Sequence, residues 1–214
     1  MAKRGKTYAH GKHAVSEAQQ YAPHAVLKVF KDDRGNDIAQ ISLSRLVRPY
    51  ADFVRDFSPT EDSCFVLLAG LEDPHNVGAI IRSAASFGAA AVLLPEEGQA
   101  PVTDAVLKVS AGMAFRIPLV SIQGYQQTLS DLRKRGFSVY GFEAKGKSLV
   151  EEEFKTPTVL VFGNEGAGLP GAVRPLCDGF LSIPMHSRAE SLNVAAAAAA
   201  ALYDWSGKHP KALQ

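Results

Sequence analysis

Val159-Leu160-Val161-Phe162-Gly163-Asn164-Glu165-Gly166-Ala167-Gly168-Leu169-Pro170 is the stretch on which the fold turns. Its first four residues are apolar without a break, which reads as a strand buried on both faces. Gly163, Gly166 and Gly168 follow in a short loop, where the main chain is built to approach something closely. Pro170 then suits the first turn of a helix. A buried strand that runs through a glycine loop into a helix start belongs to an α/β sheet, whose ligands gather beyond the C-terminal strand ends.

The same alternation extends in both directions. Apolar runs predict strands at 64–69, 90–94, 115–121, 137–142, 158–162 and 180–183. Helical patterns fall at 77–87, 103–111 and 124–135, with a short piece near 170–176 and a last helix at 191–205. Strands separated by helices predict a parallel sheet with helices on both faces. The last helix is rich in alanine, the best helix former, and its small side chains permit very close packing. Ser58-Pro59-Thr60-Glu61-Asp62 reads as a boundary, dividing an N-terminal extension, residues 1–60, from a main domain, residues 61–214. Within the extension, 25–30 predicts a short strand, 31–37 a turn, and 38–47 either strand or helix. Residues 1–13 are polar and basic, with Lys3, Arg4, Lys6, Lys12, His10 and His13, and are expected to be frayed at the start.

Charge is distributed unevenly. Residues 1–60 hold ten Lys and Arg against six Asp and Glu, a balance of +4, while the rest hold thirteen against sixteen. A weakly basic first quarter fits an RNA-contacting appendage, and equally a surface that binds nothing. The longest apolar stretch, 194–203, falls well short of the ~20 residues of a membrane span. No apolar segment follows the basic N-terminus, so no secretory signal is visible. Cys64 and Cys177 stand far apart without neighbouring histidines, which predicts two buried thiols in a reducing cytoplasm and no metal site.

Three segments carry candidate chemistry. In Asp73-Pro74-His75-Asn76-Val77-Gly78-Ala79-Ile80-Ile81-Arg82, Asn76 is a good helix N-cap, and Arg82 lies near the C-terminal edge of a parallel strand. A solvated helix charge is the plainer reading of Arg82. In the glycine loop, residues 166–171 spell G-x-G-x-x-G, but a long helix and an acidic residue about 20 positions onward are missing, so the dinucleotide reading fails. In Ile183-Pro184-Met185-His186-Ser187-Arg188-Ala189-Glu190-Ser191-Leu192-Asn193-Val194, Ser191 or Asn193 can cap the final helix. His186 and Ser187 lack the G-x-S-x-G context and the acidic partner of a hydrolase.

Taken together and in order, N-x-x-x-x-x-R, G-N-E-G-x-G-L and I-P-M-x(5)-S-L-N-V-A resemble the three motifs of the SpoU (TrmH-like) RNA ribose methyltransferases, a family of the SPOUT class. The resemblance covers about two thirds of the chain, from Cys64 to about Trp205. It implies a C-terminal trefoil knot, an otherwise rare feature. It implies S-adenosyl-L-methionine as cofactor, bound bent against Gly163, Asn164, Gly166, Ile183, Met185 and Leu192. The reaction implied is in-line methyl transfer to a ribose 2′-OH of rRNA or tRNA. Asn76, Arg82, Glu165, Ser191 and Asn193 match the family's functional set.

By the same resemblance, Glu165 and Asn76 position Arg82 and the loop, while Ser191 and Asn193 hold the pocket and the methionine end. A guanidinium keeps its protons, so Arg82 is better cast as a clamp on a neighbouring phosphate that orients the hydroxyl. A homodimer through the C-terminal helix is implied, without membrane or metal. Residues 10–18 resemble the opening of the small substrate domain of many relatives, but too few residues follow for the whole of it. The competing readings are a catalytically silent knotted RNA-binding protein of ribosome assembly and a nicotinamide-dependent oxidoreductase.

Overall fold

The computed structural model describes residues 5–214. Lys3 and Arg4 of the basic run lie outside the described residues. The chain builds two sheets. Strands β1 (Lys6–His10), β2 (Val26–Lys31) and β3 (Asp37–Ser42) form a small antiparallel sheet in the order β1-β3-β2. Helix α1 (Lys12–Tyr21) covers one face of it, burying Val15 and Ala18 with Ala9, Ala39 and Ile41. The start of the chain is therefore not frayed from Lys6 onward. Its polar sequence still forms a strand because Thr7 and Ala9, on alternate positions, turn inward.

A turn of helix, α2 (Leu43–Leu46), leads to β4 (Val47–Pro49) and α3 (Tyr50–Arg55). The segment expected to be either strand or helix is thus divided between the two. β4 pairs in parallel with β7 (Leu119–Ile122), so the large sheet takes its first strand from before residue 60. The remaining strands are β5 (Cys64–Ala69), β6 (Ala91–Pro95), β8 (Ser138–Ser148), β9 (Thr158–Gly163) and β10 (Gly179–Ser182). All seven run parallel in the order β10-β8-β9-β5-β6-β7-β4.

Alternation along β5 shows why both faces are covered. Val66 and Leu68 point into a core with α4 (Pro74–Ser86), α5 (Asp104–Val109) and α7 (Val194–Lys208). Phe65 and Leu67 point into a second core with α3 and α6 (Tyr125–Lys134). Each fully buried Ile or Leu contributes about 1.5–3 kcal/mol, so the two layers hold the sheet rigidly beneath its loops. Gly78 lets α4 and α5 touch, since a Cβ there would sit 2.8 Å from Val109 Cβ.

Several boundaries differ from the sequence reading. The strand expected at 115–121 begins only at Leu119, because Met113–Phe115 forms a 3-10 turn and Pro118 lacks an N–H for the ladder. The short helix near 170–176 reduces to a 3-10 turn at Arg174–Leu176. β8 runs well past 142: β10 pairs with Tyr140 and Gly141, then resumes at Lys147 and Ser148. The five residues between loop out of the pairing, and Gly146 meets the Leu181 backbone so closely that a Cβ would lie 2.5 Å from it.

Candidate active site

Three loops converge at the C-terminal ends of β5, β9 and β10. The first leads from β5 into α4. Asp73, not Asn76, caps α4: its side chain accepts the His75 N–H at 2.8 Å, and Pro74 takes the first helical position. Asn76 lies inside the first turn, which frees its side chain for distant partners.

The second loop follows β9. Asn164 and Gly168 exchange backbone hydrogen bonds of 2.9 and 2.8 Å, closing the glycine segment into a tight turn. Asn164 Oδ1 accepts the N–H groups of Gly166 and Ala167, and its Nδ2 donates to the Gly70 carbonyl at 3.1 Å. The turn is thereby stapled to the first loop. A Cβ at Gly163 would stand 2.3 Å from the Gly168 carbonyl oxygen, so the protein's own backbone demands glycine there. Gly166 is different, with only Asn164 Oδ1 near, at 3.6 Å. The close approach expected of both glycines toward a ligand is therefore, at Gly163, first an approach of the chain to itself.

The third loop, residues 183–193, is irregular and ends on α7. Asn193 caps that helix, its Oδ1 accepting the N–H groups of Ala195 and Ala196; Ser191 does not. Asn193 Nδ2 also donates to Asn76 Oδ1 at 3.0 Å, and Asn76 Nδ2 donates to Glu165 Oε1. One relay, Asn193–Asn76–Glu165, therefore links all three sequence segments through neutral amides and a single carboxylate. Residues 89 and 117 positions apart are joined in it.

Beneath the relay lies a cavity of about 220 Å³. Among the residues singled out in the sequence, Gly163, Asn164, Glu165, Ile183, Met185, Ser191 and Leu192 line it; Gly166, Asn76, Asn193 and Arg82 do not. Sequence reasoning missed Phe142, Glu143, Phe162, Leu181, Ser182 and Glu190. Phe142 and Phe162 stack at 4.7 Å between ring centroids and give the cavity a flat apolar wall. Glu143 is gripped by the Arg174 guanidinium at 2.6 and 3.3 Å. Three carboxylates, those of Glu143, Glu165 and Glu190, and no Lys, Arg or His line this space. Such walls favour a cationic ligand with a flat ring system over one bearing a pyrophosphate.

Arg82 stands on α4 with its side chain exposed, holding no hydrogen bond or ion pair among the described residues. Neither Asn76 nor Glu165 bonds to it, so the expected positioning of Arg82 by those two is not made directly. Both cysteines are free; Cys64 is buried as expected, but Cys177 is only half-buried, and burial pushes the Cys177 thiol up to about 11 and the Cys64 thiol higher still. No helix is long and apolar enough to cross a membrane among the described residues.

Against known proteins, the model of the SpoU rRNA Methylase family matches residues 63–203. The chain belongs to this family. The SpoU match opens at the edge of β5 and closes within α7, so it contains every residue of the relay and cavity. Among curated relatives, the 23S rRNA (guanosine-2'-O-)-methyltransferase RlmB of Xanthomonas campestris is 41% identical over 140 residues, covering 65% of this chain and 56% of that protein. A tRNA/rRNA methyltransferase of Mycolicibacterium paratuberculosis, itself named as uncharacterized, is 38% identical over 178 residues, or 80% of this chain and 57% of that one. The chain thus spans a little over half the length of these SpoU relatives. Among solved structures, the SpoU methyltransferase AviRb from Streptomyces viridochromogenes, in complex with AdoMet, superposes with a TM-score of 0.83 at 25% identity. That likeness covers 97% of this chain and 92% of AviRb.

Proposed function

We propose that this protein is an S-adenosyl-L-methionine-dependent methyltransferase acting on a ribose 2′-OH of rRNA or tRNA. The observation that carries the reading is the cavity: a stacked aromatic wall and the carboxylates of Glu165 and Glu190, with Glu143 already matched by Arg174, under a relay that joins the three motifs. S-adenosyl-L-methionine is a flat purine nucleoside with a sulfonium and an amino-acid tail, and these walls suit each part. Gly163, Asn164, Ile183, Met185 and Leu192 hold the nucleoside in this reading, with Gly166 at the loop tip. Ser191 and the loop that ends at Asn193 hold the tail. The same walls speak against a nicotinamide dinucleotide. The donor supplies an electrophilic methyl group; the chain supplies alignment and water exclusion.

Arg82 clamps a phosphate beside the target nucleotide and orients the hydroxyl, its planar fork being suited to that contact. Its freedom from internal partners supports this role. The hydroxyl oxygen forms the new bond to carbon, the carbon–sulfur bond breaks, and the proton leaves to the phosphate or to water. Asn76 and Glu165 position the loops and not Arg82 itself. In this reading the C-terminal segment that carries β10 and α7 is the threaded part of the family's knot. Tyr203, 70% exposed on α7 and edge-on to Phe87, supports a homodimer through that helix. The basic residues 1–60 serve as the RNA-contacting part, and the cytoplasm, where these RNAs are made and used, is the compartment. The silent RNA-binding alternative leaves the donor cavity without a purpose.

Incubation of the protein with donor and total RNA, followed by mapping of 2′-O-methylated nucleotides, tests the reading. A single new ribose methylation is expected; tight RNA binding with no modified nucleotide would establish the silent alternative instead.

A further inference from the structure

Helix α1 packs on one face of the small sheet; the other meets α5 at the β1 end, where Asp104 stands near His10, and leaves Tyr8, Lys6, His10 and Lys28 exposed. On the other, cross-strand register aligns Tyr8 with Gln40 and Lys28, and His10 with Ile38 and Phe30. Side chains at paired positions share a face, so three rings and two lysines, counting Lys6 on the same side of β1, are presented together. Tyr8 is 37% exposed, and its hydroxyl accepts from Gln40 Nε2 at 3.0 Å, which orients the ring without covering it. Lys28 Nζ stands 5.6 Å from the Phe30 ring centroid. Lys31, at the strand end, is paired with Asp37, and Asp104 approaches His10 at 4.0 Å, so the acidic groups lie at one end of the face.

We infer that this face is a stacking platform for unpaired bases, so that the substrate presents a single-stranded loop or bulge beside the methylated nucleotide. The inference rests on the proposed activity only for the nature of the polymer. Rings interleaved with lysines on an open sheet suit bases and phosphates of a single strand, since every base has a face to stack and every linkage a charge. A duplex offers no free base faces. The platform is also held at a fixed place. Arg116 grips Glu17 of α1 through two hydrogen bonds, at 2.5 and 2.8 Å, and lies 4.1 Å over the Tyr21 ring. β1 rests against α5, which packs on α4, the helix that carries Arg82.

Fluorescence anisotropy of the full chain with a labelled oligoadenylate tests this without methyl transfer. Tyr8→Ala and Phe30→Ala are each expected to weaken binding about tenfold, while Tyr8→Phe stays within about twofold. Lys28→Ala lowers the slope of log affinity against log salt by about 0.7. Thermal midpoints and calorimetric donor binding stay at parental values. Parental oligoadenylate affinity in both ring-to-alanine variants would overturn the inference, as would duplex RNA that displaces the probe as well as single strand does. Ring-dependent binding in a protein that methylates no RNA would sink the proposed activity and sustain this platform.

Discussion

The cavity loops and the N-terminal sheet are fastened by different means. The loops are joined by amides and by backbone packed on backbone: Asn164 on Gly70, Asn193 on Asn76, Gly163 under Gly168. The small sheet shares an apolar core with the large one, through Ala9, Val15, Ala18, Ala39 and Ile41, and adds charge, through the buried carboxylate of Glu17 and the guanidinium of Arg116. Where atoms must be placed to a fraction of an ångström, the chain uses short amide and backbone contacts, with one carboxylate, Glu165, at the end of the relay. Where a whole unit must be anchored, it adds to apolar packing a forked ion pair with an aromatic beneath it.

Four substitutions strain the contrast, from the largest expected effect to the smallest. Gly163→Ala forces Gly168 to move, and donor affinity by calorimetry is expected to fall at least about 100-fold, with the large sheet intact by circular dichroism. Parental affinity would show that the glycine turn does not shape the cavity. Arg82→Ala should slow single-turnover methyl transfer by about 100-fold while leaving donor affinity unchanged, because the side chain lies outside the cavity. Near-normal transfer in that variant would remove the phosphate clamp. Asn76→Ala breaks the relay at its centre; transfer should fall about tenfold with little change in thermal midpoint, since Asn76 does not cap α4.

Glu17→Gln addresses the other fastening. The Arg116 hydrogen bonds hold the Glu17 carboxyl below its ordinary value of 4.5. A lowered folded-state value means stability that is present above 4.5 and lost as the pH falls through the folded value. At pH 7 the variant should melt roughly 5 °C lower than the parent, and the gap should close on acidification below 4.5. A gap independent of pH would mean that packing of the Glu17 side chain on Gly112, where a Cβ would lie 2.7 Å from Glu17 Cγ, and not charge, anchors the unit.

The large sheet was legible because its strands are short unbroken apolar runs, and the three motif segments were legible as a set. The roles within them were less so. Local rules favour Asn76 as a cap, yet Asp73-Pro74 starts the helix a turn earlier, and the true partners of Asn76 lie in loops no local rule connects to it. β4 was invisible because three residues ending in proline carry no period. α1 was invisible because the burial of Glu17 depends on Arg116, 99 residues away. The carboxylate character of the cavity was equally hidden, since Glu143 arrives from the bulged middle of β8 outside any motif.

β10 is an edge strand only four residues long, yet Leu181 and Ser182 form part of the cavity wall. A molecule seated there leans on an edge strand whose backbone is held hard against Gly146 of β8. Occupancy and the order of that strand are thus thermodynamically linked. Binding of the proposed donor would then slow amide exchange along residues 179–182.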